Sequence, residues 1–312
     1  MAFLNKFLDR FVNEALEKTN SFFDLSQHWK QSNDFVLTHA TTNFWMLTDT
    51  EENFKVRGNK NYKNETISYE TNNAGYRLTT RKEDVSDKKI IACFGCSQTF
   101  GIGLKYEDTW PSILENMLGA NFIAHNYGVP GASFDTIARL IHNYLLTETP
   151  AAICCLLPDM FRREMFDSNS LTVPKNYSNL YGETDEFTIS ELCKKHDYNI
   201  IDFRSYKRLS GEENSIFNFI KNLKLIETLC LMNNIPLVLT TWDIYILNCL
   251  KLPQNKKTFN NFVEPSESDF DFFLKWDDME KSRDGIHLGR APLKKHAELL
   301  YDRLTSLLQI SQ

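Results

Sequence analysis

Phe3, Leu4, Phe7, Leu8, Phe11, Val12, Ala15 and Leu16 recur at i, i+3 and i+4 spacing, which predicts an amphipathic helix over residues 3–16. Its stripe fits either docking on the chain's own core or contact with a protein partner. Residues 20–80 hold no sustained period. Rich in aromatics, Asn and Thr, with short alternating runs such as Ile67–Tyr69, they read as an irregular extension with a few short strands and no motif of assignable chemistry. From residue 88 the pattern changes. Lys88–Phe94 is an apolar strand followed by a glycine-rich turn, and Asp108-Thr109-Trp110-Pro111 opens a helix, with Pro111 suited to its first turn. Asn121–Asn126 reads as a second strand, and Ser133 as the N-cap of a helix through Thr147. Ala151–Leu157 is a third, fully apolar strand, and Ile200–Phe203 a short fourth. Gly211–Asn234 is a long helix, Pro236–Trp242 a strand, and Ala291–Leu308 a closing amphipathic helix. Strands apolar on both faces, alternating with helices, imply a parallel α/β sheet. In such sheets the working site lies outside the carboxyl ends of the strands.

Composition sharpens this map. Only 12 glycines and 9 prolines occur among 312 residues, which excludes collagen-like and linker-rich classes, and 42% hydrophobic with 24% charged residues excludes disorder. Six glycines (Gly95, Gly101, Gly103, Gly119, Gly128, Gly131) fall between 95 and 131, and Gly285 and Gly289 bracket His287. Glycine serves where backbone turns tightly or approaches something closely, so these clusters mark the turns that matter. A net charge of −6 argues against nucleic-acid or anionic-membrane partners, and no apolar run is long enough to span a bilayer. The basic stretch 55–63 and the acidic stretch 264–280 read as solvated loop faces. Seven cysteines without framework spacing read as free thiols in a reducing compartment. Cys93 and Cys96 form a CxxC, but no second pair completes a metal set, so neither metal nor cofactor is expected. The charged N-terminus is no signal peptide, and a cytoplasmic location is expected.

Three segments carry chemistry. In Gly95-Cys96-Ser97-Gln98-Thr99-Phe100-Gly101, a serine at a strand-to-helix turn exposes its hydroxyl, with backbone N–H groups close to a developing oxyanion. The second segment is Asn126-Tyr127-Gly128-Val129-Pro130-Gly131-Ala132-Ser133. The third, Asp284-Gly285-Ile286-His287-Leu288, places a carboxylate three residues before an imidazole, so one loop supplies both base and orienting group for Ser97.

Together with the lead-in Asn73-Ala74-Gly75-Tyr76-Arg77, these blocks resemble the SGNH hydrolases, also called GDSL-type esterases, in the GCS variant familiar among phage- and bacteria-encoded proteins. The resemblance covers roughly 75–312 and divides the chain into a 1–74 extension and a 75–312 hydrolase-like domain. It implies a three-layer, flavodoxin-like parallel sheet. It also implies Ser97 as nucleophile, Asp284 and His287 as its partners, and an oxyanion hole from the N–H groups of Ser97 and Gly131. The expected activity is hydrolysis of small acyl esters, O-acetyl groups on carbohydrate foremost. One departure stands out. Where the family has an Asn after the third strand, this chain reads Pro158-Asp159, with Arg162 or Gln98 as the stand-in donor. Trp242, at the end of a strand, is expected either to line the pocket or to pack at its rim. The missing Asn and the N-terminal stripe support an alternative: a catalytically weak domain that grips glycan or serves assembly. The Asn-rich composition extends that alternative to a phage virion component.

Overall fold

The computed structural model describes residues 42–72, 75–77, 87–167, 170–177, 194, 201, 211–243, 246–247 and 279–308. The helix expected over 3–16 and the acidic stretch up to residue 278 lie outside them. In chain order the strands are β1 (Thr42–Asn43), β2 (Tyr69–Glu70), β3 (Lys89–Gly95), β4 (Phe122–Gly128), β5 (Ala152–Leu157), β6 (Arg163–Asp167), β7 (Ser170–Tyr177) and β8 (Leu237–Thr241). The helices are α1 (Glu51–Arg57), α2 (Ser97–Phe100), α3 (Trp110–Leu118), α4 (Phe134–Leu145), α5 (Glu212–Met232) and α6 (Arg290–Leu308).

β4, β3, β5 and β8 form one sheet in that order, with all neighbours parallel. Counted from the first strand of this sheet, the order is 2-1-3-4, the beginning of the flavodoxin-like arrangement. Buried apolar side chains on both faces explain why these strands sit inside: every residue of β5 and β8 is buried. The register assigns the helices to faces. Phe94, Cys155 and Leu239 are aligned across the sheet, and Gly95, Leu156 and Thr240 are aligned one step on, so the two rows point oppositely. Phe94 meets Tyr144 of α4, which packs on α5 through Phe134 and Phe219. Thr240 bonds His296 of α6, whose ring stacks edge-on against Trp110 of α3. Hence α4 and α5 cover one face and α3 and α6 the other: three layers, as expected.

Local signals set several helix starts. Pro111 lies in the first turn of α3, and Ser133 caps α4 by accepting a hydrogen bond from Thr136 N–H at 3.3 Å. Ile201, within the stretch expected as a short strand, is helical. The antiparallel β6–β7 hairpin had no expectation. It is anchored by Glu164, which pairs with Arg139 and accepts from Thr136, while Asp135 accepts from Glu164 N–H, Asn218 and Asn222. Met46, Tyr62, Ile67 and Tyr69 are buried in the same core as the sheet. Among the described residues no helix is long and apolar enough to cross a membrane.

Candidate active site

β3 ends in Gly95, and the chain turns at once into α2, so Ser97 occupies the first helical position, 8% exposed. An N–H at that position has no intrahelical acceptor and remains available to a ligand. The turn is held from below. Asn126 donates to Thr99 O at 2.7 Å and accepts from Gly128 N–H at 2.9 Å, tying the end of β4 to α2. Arg77, buried, donates to the carbonyls of Phe100, Gly101, Leu104 and Ser68, and so satisfies the C-terminal end of the short helix.

The third segment folds as a tight loop. Ser282 N–H donates to His287 O at 2.8 Å, and Gly285, at φ +73°, turns the chain back between them. A Cβ at Gly285 would lie 2.2 Å from Arg57 O, so the loop rests directly on the backbone at the end of α1. His287 Nδ1 and Asp284 Oδ2 are 2.7 Å apart. The carboxylate is fully buried and accepts further bonds from Thr48 Oγ1 (2.7 Å), Ser282 Oγ (3.0 Å), Ile286 N–H (2.9 Å) and His287 N–H (3.0 Å). Burial alone would raise its pKa. The hydrogen bond and charge of His287, then the bonds from Thr48 and Ile286, outweigh burial and hold it well below the usual carboxylate range.

Two bonds join this loop to the serine turn: Leu288 N–H to Gln98 Oε1 at 3.1 Å, and Arg283 N–H to Gly103 O at 3.0 Å. Asp284 and His287 thus form a bonded pair beside the Ser97 turn. Ser97 Oγ itself makes no hydrogen bond to His287; its polar contact is Cys96 Sγ at 4.0 Å. Gly131 lies exposed at φ +78° with open space where a Cβ would stand.

The turn after β5 lacks the amide. Pro158 is buried, and Asp159 Oδ1 accepts from Phe161 N–H at 2.7 Å within its own turn. Arg162 reaches Ala132 O at 3.5 Å, which puts a guanidinium beside the Gly131 turn. Gln98 is buried and commits its carbonyl oxygen to Leu288, leaving its NH₂ as a donor. Trp242 is partly buried and packs against the core at the end of β8. Of the CxxC pair, burial and then neighbouring Cys154 push the Cys93 thiol well up, which suits a packing role. Among the described residues no group of His, Cys, Asp or Glu could hold a metal ion. His296 is a core residue, pulled down to about 3 by burial and therefore neutral.

Sequence reasoning missed the supports from the N-terminal side. Asp49, fully buried, binds Arg283 through both carboxylate oxygens (2.9 Å to Nε, 2.6 Å to Nη2) and accepts from Tyr69 Oη, which in turn accepts from Gly103 N–H at 2.7 Å. Thr48 reaches Asp284 across 236 residues of sequence. Neither Thr48 nor Asp49 sits in a motif, and nothing in the sequence around Arg283 marks it as buried.

The three motif turns lie at the carboxyl ends of β3 and β4 and on the loop before α6. Their placement on a parallel sheet of order 2-1-3-4, with helices on both faces, is the arrangement that the resemblance to SGNH hydrolases implies. No family model and no curated protein matches the chain. Solved structures similar to it include a family 3 carbohydrate esterase from Clostridium thermocellum (18% identity, 71% of this chain and 98% of that one, TM-score 0.40). Others are the psychrotrophic esterase EstA from Pseudoalteromonas sp. (11%, 71% and 100%, 0.42) and a G-D-S-L family lipolytic protein from Veillonella parvula DSM 2008 (14%, 71% and 99%, 0.36).

Proposed function

We propose that this protein is a serine esterase of SGNH type acting on small acyl esters, O-acetyl groups on carbohydrate foremost. The reading rests above all on the buried Asp284 carboxylate fixing His287 at 2.7 Å, on a loop bonded to the serine turn. Ser97 Oγ attacks the ester carbonyl as His287 Nε2 takes its proton, and Asp284 holds the Nδ1–H tautomer and stabilises the imidazolium. The N–H groups of Ser97 and Gly131 receive the oxyanion. His287 then protonates the leaving alcohol. Water, deprotonated by the same imidazole, attacks the acyl-enzyme, and the acid leaves as Ser97 regains its proton. The low exposure of Ser97 favours a short acyl group. The carbohydrate preference rests on the sequence resemblance.

Pro158-Asp159 supports a second reading, a weak or inactive domain that binds glycan. Loss of one oxyanion donor typically costs about 10²–10³ in rate. Arg162, beside the Gly131 turn, is the donor best placed to offset it. The test is labelling with a serine-reactive fluorophosphonate and hydrolysis of p-nitrophenyl acetate, by wild type and Ser97→Ala. Labelling and turnover that disappear in the variant support the esterase. A wild type that neither labels nor outpaces the variant leaves only the binding reading.

A further inference from the structure

The Asp284 carboxylate shares one oxygen between two donors. Oδ2 accepts from His287 Nδ1 at 2.7 Å and from the Thr48 hydroxyl at 2.7 Å, while Oδ1 takes Ser282 and two backbone N–H groups. Thr48 lies on a segment that is itself locked in place. Its neighbour Asp49 is clamped on Arg283, Asn53 Nδ2 donates to Thr48 O at 2.7 Å, and Arg283 stacks 4.1 Å over Trp45. We infer that Thr48 is a positioning residue for the acid–base pair: by holding part of the charge on Asp284 Oδ2, it sets how strongly that oxygen grips the His287 Nδ1 proton. The inference rests on the proposed role of Asp284 and His287 in ester hydrolysis.

The physical logic is a competition for one lone-pair region. A carboxylate oxygen that already accepts a short hydroxyl bond has less charge to offer a second donor. With the hydroxyl gone, the whole charge of Oδ2 falls on the imidazole, and the charged ring gains more from it than the neutral ring does. Other charges near the pair do not replace this contact. Arg283, on the same loop, is spent on Asp49. Glu280, at the loop's start, accepts from Ala291 N–H and Tyr62 Oη. Lys281 flanks the loop at its bridge to Leu288. Arg57 of α1 presents its carbonyl to Gly285, and its side chain is exposed.

The test compares Thr48→Val and Thr48→Ser with wild type, using p-nitrophenyl acetate hydrolysis from pH 6 to pH 8. A second measurement is the downfield Nδ1 proton resonance of His287 in Ser97→Ala and in Ser97→Ala/Thr48→Val. Thr48→Val is expected to lose roughly tenfold in kcat/KM at pH 6, the scale of one hydrogen bond to a charged group, and clearly less at pH 8. Its His287 resonance is expected to move downfield, and Thr48→Ser to restore both readouts. A loss equal at all pH values with an unmoved resonance overturns the inference, because a merely structural residue behaves that way. If wild type shows no esterase activity, the functional reading fails separately, and the resonance comparison still decides the role of Thr48: a shift supports it, no shift refutes it.

Discussion

Asp49→Ala removes the carboxylate from a buried ion pair and leaves Arg283, whose side chain is 5% exposed, without its partner. Breaking such a pair from one side costs about 3–5 kcal/mol, because the remaining charge stays desolvated. The Tyr69 hydroxyl, which donates to the same carboxylate, loses its acceptor as well. Against a total stability of about 5–15 kcal/mol for a domain, the variant stands near the edge of folding. The companion Asp49→Ala/Arg283→Met separates charge from shape. An apolar replacement of both partners is often neutral, although here the guanidinium over Trp45 at 4.1 Å is lost too, worth about 0.5–2 kcal/mol. The double variant is therefore expected to be less destabilised than the sum of the single changes, by about 2 kcal/mol. Urea unfolding reads this through the midpoint at constant slope. Single losses that add to within about 0.5 kcal/mol refute the reasoning, since uncoupled sites add in that way.

Two further expectations concern the Gly285 and Gly131 turns and the Asp284 carboxylate. Gly285→Ala combines a φ of +73° with a Cβ 2.2 Å from Arg57 O, whereas Gly131→Ala at φ +78° meets no atom within 4 Å. The second change should cost only the left-handed strain of about 1–2 kcal/mol, and the first clearly more; equal losses by thermal unfolding contradict the packing of the loop on α1. The depressed pKa of Asp284 makes a stabilising contribution that is complete above its unfolded value of about 3.9 and is lost as pH falls through that value toward the folded one. Asp284→Asn should therefore be less stable at pH 7 yet lose less on acidification, and parallel stability curves for the two proteins between pH 5 and 2 would count against it.

The parts of this molecule that could be read from its sequence are those whose cause is local. Apolar runs mark β3, β4, β5 and β8, clustered glycines mark the turns after β3 and β4, and the Asp284–His287 spacing predicts a bond that the loop makes. Ser133 caps α4, and Pro111 sits in the first turn of α3, each through its own local geometry. What escaped depends on partners remote in sequence. Thr48 and Asp49 have no periodicity, and their meaning lies in residues 283 and 284, more than two hundred positions away. Arg77 appeared only as part of a lead-in, because the carbonyls that it gathers exist once α2 has ended. The β6–β7 hairpin was hidden for a different reason: Glu164 anchors it by polar contacts to α4, which no hydrophobic pattern marks.

The bond from Leu288 N–H to Gln98 spans 190 residues, and that from Thr48 to Asp284 spans 236. Contacts of such separation demand the largest loop closures and form late. During synthesis, the serine turn can be complete while its base and the carboxylate behind it have yet to leave the ribosome. On the proposed mechanism, Ser97 in a nascent chain therefore lacks its base until residues 284–288 have been made and have closed onto its turn.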